Sequence, residues 1–295
     1  MRRTVYCLFI ITVWGILSVG CRKTSDGQTE TFLQIKGSDT IVNAGQMISE
    51  EFMKVNPYVF VAVTGGGSGV GIASLINGTC DVATSSREMK TKEIDIARKH
   101  GVEPKEITVA FDGVAVIVNH NNPVENLTID DLRRIFTGQS KNWKDFGGND
   151  LPILTLSREV SSGTHLYFKE EVIRGGKKDS TAEFSSDTLL LTSSQTIVEE
   201  VVNNESAIGY MGMGYVSART KTIKVGKIAG AFSPADIEHV QNKSYPLSRP
   251  LYFYTNGEPE GILKEFIDFT LSPHGQKQFA ESGFVPLELE RGQKN

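Results

Sequence analysis

Three times in this chain an apolar or β-branched run gives way to glycines and hydroxyl residues, and a helix-period segment follows. Phe32-Leu33-Gln34-Ile35 leads into Gly37-Ser38-Asp39-Thr40. Val59 to Thr64 leads into Gly65-Gly66-Gly67-Ser68-Gly69. A strand over 152–156 is followed by Arg158-Glu159-Val160-Ser161-Ser162-Gly163-Thr164 and a helix from His165. A strand that repeatedly hands over to a helix belongs to layered α/β structure. The junctions also carry chemistry. A helix start exposes unpaired N–H groups and a partial positive charge. Small residues let an anion reach those donors, and hydroxyls add more. Each turn taken singly reads as an N-cap, since Ser, Thr and Asp are the usual caps. Three together can surround a tetrahedral oxyanion without any lysine. Arg158, four residues before Ser162, adds a planar fork suited to such an anion.

The remaining periodicity extends the α/β pattern. Apolar spacing gives a helix from Ile41 to Val55, stopping before Asn56-Pro57. A second helix runs through Ile76, and Asp81 to Thr84 is a short strand opening into Ser85-Ser86-Arg87. Val109 to Asn119 is a strongly apolar strand, and His120-Asn121-Asn122-Pro123 breaks the chain. A helix over 128–136, a strand over 207–211 and a basic, turn-rich break from Ser244 to Pro250 come next. Leu251 to Thr255 is a strand, and helices near 259–271 and 273–281 close the pattern. Two breaks imply two crossings. The expected fold is α/β, two doubly wound lobes joined by two crossover strands. Residues 32–118 plus 250–290 form lobe 1, and 119–249 form lobe 2.

The start of the chain reads as an address. Met1-Arg2-Arg3 is basic, Tyr6 to Leu17 is mostly apolar, and Ser18-Val19-Gly20-Cys21 is small. That is the order of a secretory signal peptide over 1–20, too short to span a bilayer. Cys21 after Gly20 resembles the lipobox of bacterial lipoproteins, with Ser18 in the usual leucine place. A polar tether over 21–31 follows, as a lipid anchor needs. Cleavage removes Arg2 and Arg3 and no acid, leaving 29 basic residues against 35 acidic, net −6. Cys7 leaves too, so with Cys21 acylated Cys80 has no partner and reads as a small buried hydrophobe.

Other chemistry is excluded by what is missing. The full chain carries a net charge of −4, with no global attraction for nucleic acid. There is no GxxxxGK[ST] and no GxSxG. Three cysteines and five histidines show no metal spacing. His165 could be read as a base for Ser162, but no third group accompanies it. Trp143 and Phe146 read as packing residues, and Asp130-Asp131 as a helix first turn. No metal and no cofactor are expected.

The mature chain resembles the phosphate-specific substrate-binding proteins of bacterial ABC transporters, in the type II periplasmic-binding-protein fold. The resemblance runs from about Leu33 to Leu287. It rests on the three turns above, on Asp81-Val82-Ala83-Thr84-Ser85-Ser86-Arg87, on Ile135-Phe136-Thr137-Gly138 with Asn142-Trp143, and on Ala207-Ile208-Gly209-Tyr210. It implies a flytrap whose lobes close over one inorganic phosphate. By position, Thr40 and the Ile41 N–H hold the anion from the first turn and Ser68 from the second. Arg158, Ser162, Gly163 and Thr164 hold it from the second lobe. Some relatives carry an Asp at the place of Ser86 to accept the phosphate proton. Here Ser86 can donate or accept, with Asp112 the first choice of carboxylate acceptor and Asp39 the second.

The expected function is therefore delivery of phosphate to an ABC importer. The protein would be a monomer, no enzyme, anchored to the membrane by lipid and partnered with permease subunits. Rivals are the same fold binding sulfate or molybdate, a surface lipoprotein for phosphate sensing or adhesion, and a hydrolase using Ser162 or Ser68. The anchor makes a direct prediction. Cys21→Ala should move the protein from the detergent phase to the aqueous phase on partitioning; unchanged partitioning would exclude acylation at Cys21.

Overall fold

The computed structural model describes residues 30–177 and 179–287. The leader, Cys21 and nearly all of the tether lie outside the described residues. The first junction joins β1 (Thr31–Gly37) to α1 (Val42–Val55), and the second joins β2 (Val59–Thr64) to α2 (Ser68–Ile76). β3 (Val82–Ser85), α3 (Thr91–Lys99) and the 15-residue β4 (Pro104–Val118) follow. Next come β5 (Asn126–Thr128), α4 (Ile129–Phe136), β6 (Leu154–Arg158) and α5 (Gly163–Phe168). β7 (Leu189–Leu191), α6 (Ser194–Asn203), β8 (Ala207–Gly212), β9 (Lys221–Gly226), β10 (Phe232–Ser233) and α7 (Ile237–Gln241) continue the chain. β11 (Ser248–Asn256), α8 (Gly261–Leu271) and α9 (Pro273–Glu281) end it. Among the described residues no helix is long and apolar enough to cross a membrane.

β1 lies parallel between β2 and β3, and β11 lies antiparallel between β3 and β4. β4 is antiparallel to β8 and β9, and β6 is parallel to β8 and β7. The order is β2-β1-β3-β11-β4-β8-β6-β7. The long strand β4 changes neighbours along its length. Pro104 to Gly113 pairs with β11, and Val114 to Val118 pairs with β8 and β9. The boundary read from sequence at 118/119 marks the end of the strand. The exchange of partners falls inside it, between Gly113 and Val114. A continuous apolar run carries no mark of where its neighbour changes.

The two groups of strands have separate cores. Leu33, Ile35, Ile48, Phe52, Phe253 and Phe266 pack β1 and β11 against α1 and α8. Ile72, Leu75, Ala83 and Tyr252 fill the side of α2. In the other group Phe136, Trp143, Phe168 and Tyr210 lie in one cluster, and Leu156, Ile197 and Val201 in another. Sheets covered on both faces are what the doubly wound reading requires. At Gly37 the chain turns with φ 143°, a value L side chains rarely adopt. A Cβ there would collide with the Thr84 carbonyl, so glycine lets β1 end directly against β3.

Behind the third junction lies a buried polar network. Ser157 Oγ is 2.5 Å from the Tyr210 hydroxyl and 3.1 Å from His165 Nδ1. The three residues tie β6, α5 and β8 together. Burial pushes His165 down to about 4, with the nearby Lys169 charge acting in the same direction. The unfolded chain therefore takes up this proton more readily than the folded one. Stability should be complete above about 6.5 and should fall as pH drops from there through about 4. The loss from this group is at most about 3 kcal/mol. Urea titrations of the wild type and His165→Gln at pH 7 and pH 4.5 test this: the pH difference should shrink in the variant. An equal difference in both would remove His165 from the account.

Candidate oxyanion site

The three junctions meet. α1 and α2 begin without any side-chain cap, at Ile41 and Gly67. Plain N-capping therefore does not explain the first two turns. The third differs: Ser162 Oγ accepts from the N–H of Thr164 at 3.2 Å and of His165 at 3.4 Å, a side-chain cap for α5. Its own hydroxyl proton remains available to an anion. Thr40 Oγ1 and Thr164 Oγ1 lie 3.0 Å apart, so the starts of α1 and α5 face each other. Ser86 N–H donates to Ser68 Oγ at 3.0 Å, and the two hydroxyls are 3.4 Å apart. Gly163 sits against this pair: a Cβ there would overlap both Ser68 Oγ and Ser86 Oγ. The Gly69 N–H donates to the Ser161 carbonyl at 2.9 Å across the same seam. Thr40, Ser68, Ser86, Ser162, Gly163 and Thr164 are thus brought together, as the sequence predicts.

The cation nearest the hydroxyl pair is one the sequence did not reveal. Arg249 enters from the first turn of β11 and is 3% exposed. Its Nε and Nη2 donate to Asp112 Oδ2 at 3.0 and 2.8 Å. Nη2 also donates to Thr164 Oγ1 at 2.9 Å and reaches Thr40 Oγ1 at 3.4 Å. One edge of the planar guanidinium is therefore spent on Asp112. The other edge, Nη1 with Nη2, meets the threonine hydroxyls through Nη2. Nη1 is buried without a partner. A buried guanidinium N–H left unpaired is costly unless a ligand oxygen meets it. The available sequence signal was a lone arginine ahead of a strongly apolar strand, which the turn-rich break around it obscured.

The structure also gives partners to groups the sequence offered to the ligand. Arg158, 1% exposed, donates from Nη2 to Asp39 Oδ2 at 2.6 Å and to the Thr192 carbonyl at 2.9 Å. Its Nη1 donates to Ser194 Oγ at 3.0 Å, and Nε is buried without a partner. Asp39 Oδ1 accepts from the Gly66 N–H at 3.0 Å. Asp112 Oδ1 accepts from the Met213 N–H at 3.0 Å. Full burial pushes the Asp112 carboxyl above its ordinary value, against the pull of Arg249 and that N–H. Its charge thus depends on Arg249. The Ile41 N–H donates to the Ser38 carbonyl at 3.1 Å. His165 Nδ1 is bonded to Ser157 and not to Ser162. Cys80 is buried, its thiol pushed up to about 12 by burial, with Asp81 adding to the effect. Among the described residues no cluster of His, Cys, Asp and Glu could hold a metal ion.

The chain is similar to several known proteins. Residues 23–274 match the model of the PBP superfamily domain. The phosphate-binding protein PstS of Pseudomonas aeruginosa is 32% identical over 276 residues, 88% of this chain and 84% of that protein. The phosphate-binding protein PstS of Staphylococcus saprophyticus is 33% identical, over 91% of this chain and 84% of that protein. Among solved structures, a substrate-binding protein from Clostridium perfringens with bound phosphate superposes with a TM-score of 0.78. It is 33% identical and spans 87% of this chain and 100% of its own. An ABC-type phosphate transport receptor from Vibrio cholerae gives 0.69 at 31% identity, over 86% and 100%.

The seam predicts a variant that separates closure from folding. Gly163→Ala should leave the melting temperature of the anion-free protein nearly unchanged. It should weaken oxyanion binding at least tenfold, because its methyl group needs the place of the Ser68 and Ser86 hydroxyls. Isothermal calorimetry gives the affinity and differential scanning calorimetry the melting temperature. Undiminished affinity would mean that the seam is not part of the site.

Proposed function

The chain belongs to the PBP superfamily and, within it, to the phosphate-binding proteins, and from this premise we propose that it captures inorganic phosphate and delivers it to the permease of an ABC importer. It is a binding protein and not an enzyme. The observation that carries the ligand reading is the Nη1–Nη2 edge of Arg249. That edge is buried, has Nη1 unpartnered and lies against the Thr40–Thr164 hydroxyl pair. Two of its coordinates match a tetrahedral oxyanion: a planar fork on one side and hydroxyls on the others. Arg158 adds its unpartnered Nε, and Ser68, Ser86, Ser162 and the Gly163 backbone complete the cradle. In this reading phosphate sits between residues 32–118 plus 250–290 on one side, of which 288–290 lie outside the described residues, and 119–249 on the other, two lobes that close over it. The protein acts outside the cytoplasm as a monomer, held to the membrane by lipid on Cys21.

Both carboxylates near the cradle already accept from arginines, so neither lies bare toward the hydroxyl pair. Arg249 stands between Asp112 and the threonines. The acceptors for a phosphate proton are then the oxygens of Ser86 and Ser68, with Asp112 and Asp39 acting through their arginines. Sulfate at neutral pH has no proton to offer them.

Calorimetry of the mature protein with phosphate, sulfate and molybdate tests the reading. Phosphate should bind more tightly than the other two, and Arg249→Ala should weaken it by about 2–4 kcal/mol, the scale for truncating a buried charge-paired group. Asp112→Asn and Asp39→Asn should weaken phosphate and sulfate together, with their ratio kept. A lost preference in either variant would make that carboxylate the proton acceptor. Sulfate binding as tight as phosphate in the wild type would overturn the phosphate assignment.

A further inference from the structure

Arg249 has a third restraint besides Asp112 and the threonines. The centre of its guanidinium lies 5.3 Å from the ring centroid of Tyr167. Thr164 and Tyr167 are three residues apart on α5 and so share one face of it. That face supplies a hydroxyl to the guanidinium edge and an aromatic ring to its plane. The Tyr167 hydroxyl donates at 2.8 Å to the carbonyl of Ser248, the residue before Arg249. The ring is therefore fixed to the same strand that carries the cation. A cavity of about 390 Å³ opens beside them, lined by Ser86 on one wall and by Tyr167 and Arg249 on the other. It reaches two of the groups that form the cradle.

Resting on the phosphate reading, we propose that Tyr167 is a positioning residue. Its ring holds the guanidinium of Arg249 so that Nη1 and Nη2 face the ligand, and it lines the cavity that reaches the cradle. The physical case is economy of restraint. The bonds to Asp112 fix the far edge of the guanidinium but leave the plane free to rock about that edge. A ring beneath the plane removes this freedom, and a cation over a ring in a desolvated place is attracted to it. Tyr167 moves with Thr164 because both belong to α5. The cation is therefore fully ordered only when α5 is seated against β11.

A double-mutant cycle tests the proposal, with phosphate affinity read by calorimetry. Tyr167→Phe keeps the ring and should bind within about twofold of wild type. Tyr167→Leu removes the ring and should weaken phosphate roughly tenfold, between the scales for an exposed and a desolvated cation–ring pair. In an Arg249→Ala background the same Tyr167→Leu change should cost less than about twofold, since residues that act as a unit are not additive. Melting temperatures of each variant without phosphate report folding separately. A Tyr167→Leu cost that is absent in the wild type, or equal in both backgrounds, would overturn the positioning role. Wild-type protein that fails to bind phosphate would instead overturn the reading on which this rests.

Discussion

The arrangement depends on one cross-strand ion pair. Asp112 on β4 and Arg249 on β11 stand directly opposite each other in the antiparallel register. Both side chains are essentially excluded from water, at 0% and 2%. Neither charge is tolerable there alone: removing one partner of a buried pair leaves an uncompensated charge, at a cost of about 3–5 kcal/mol. The pair lies just before the point at which β4 exchanges β11 for β8 and β9. A cation is thereby fixed at the one level of the sheet that both groups of strands share. Thr40 from the turn before α1 and Thr164 from α5 both reach it.

A second pair, Asp39 with Arg158, repeats the logic at the edge of the cradle. Formal charges cancel in both pairs before any ligand enters. The attraction for an anion therefore comes from directed donors: the second edge of Arg249, the hydroxyls, and two helix starts without side-chain caps. This fits a chain whose overall charge is negative. A site made of fixed dipoles and half-spent guanidinium groups needs no positive surface around it, and its selectivity comes from the number and direction of donors.

What the sequence made legible follows from how local each cause is. β2 was readable over Val59–Thr64 because a β-branched run bounded by Pro57 and Gly65 has one reading. Thr40, Ser68, Gly163 and Thr164 were readable because turn chemistry is written in neighbouring residues. α6 carried no assignment: Ile197, Val198, Val201 and Val202 have strand preferences, and tertiary packing of its buried face overrides them. The Asp112–Arg249 pair spans 137 residues and exists only through the register of β4 on β11. Asp112 could be chosen from its place at the start of an apolar strand, but its partner could not. The same distance in sequence hides the partner of Arg158: its attachment to Asp39 lies across the seam, 119 residues away.

The seam also explains how binding couples to closure. Thr40, Ser68 and Ser86 come from one side, and Gly163, Thr164 and Arg158 from the other, so on the proposed reading an anion bound to either side alone would meet only part of the donors. The closed form offers all of them, and that difference in affinity is what shifts the population. The protein's own bonds across the seam include a backbone bond from Gly69 to Ser161, the Asp39–Arg158 ion pair, the Thr40–Thr164 hydroxyl contact at 3.0 Å and the Tyr215 hydroxyl to the Asp39 carbonyl at 2.6 Å. Were they much stronger, the empty protein would stay shut and an anion would lose its way in. Were they absent, the anion alone would bear the cost of ordering both sides, and its apparent affinity would fall by the fraction of time spent open. Asp39 is placed to set this balance. Its side chain holds the Gly66 N–H on its own side and Arg158 of β6 on the other, so the residue that shapes the first turn also ties that turn to the third.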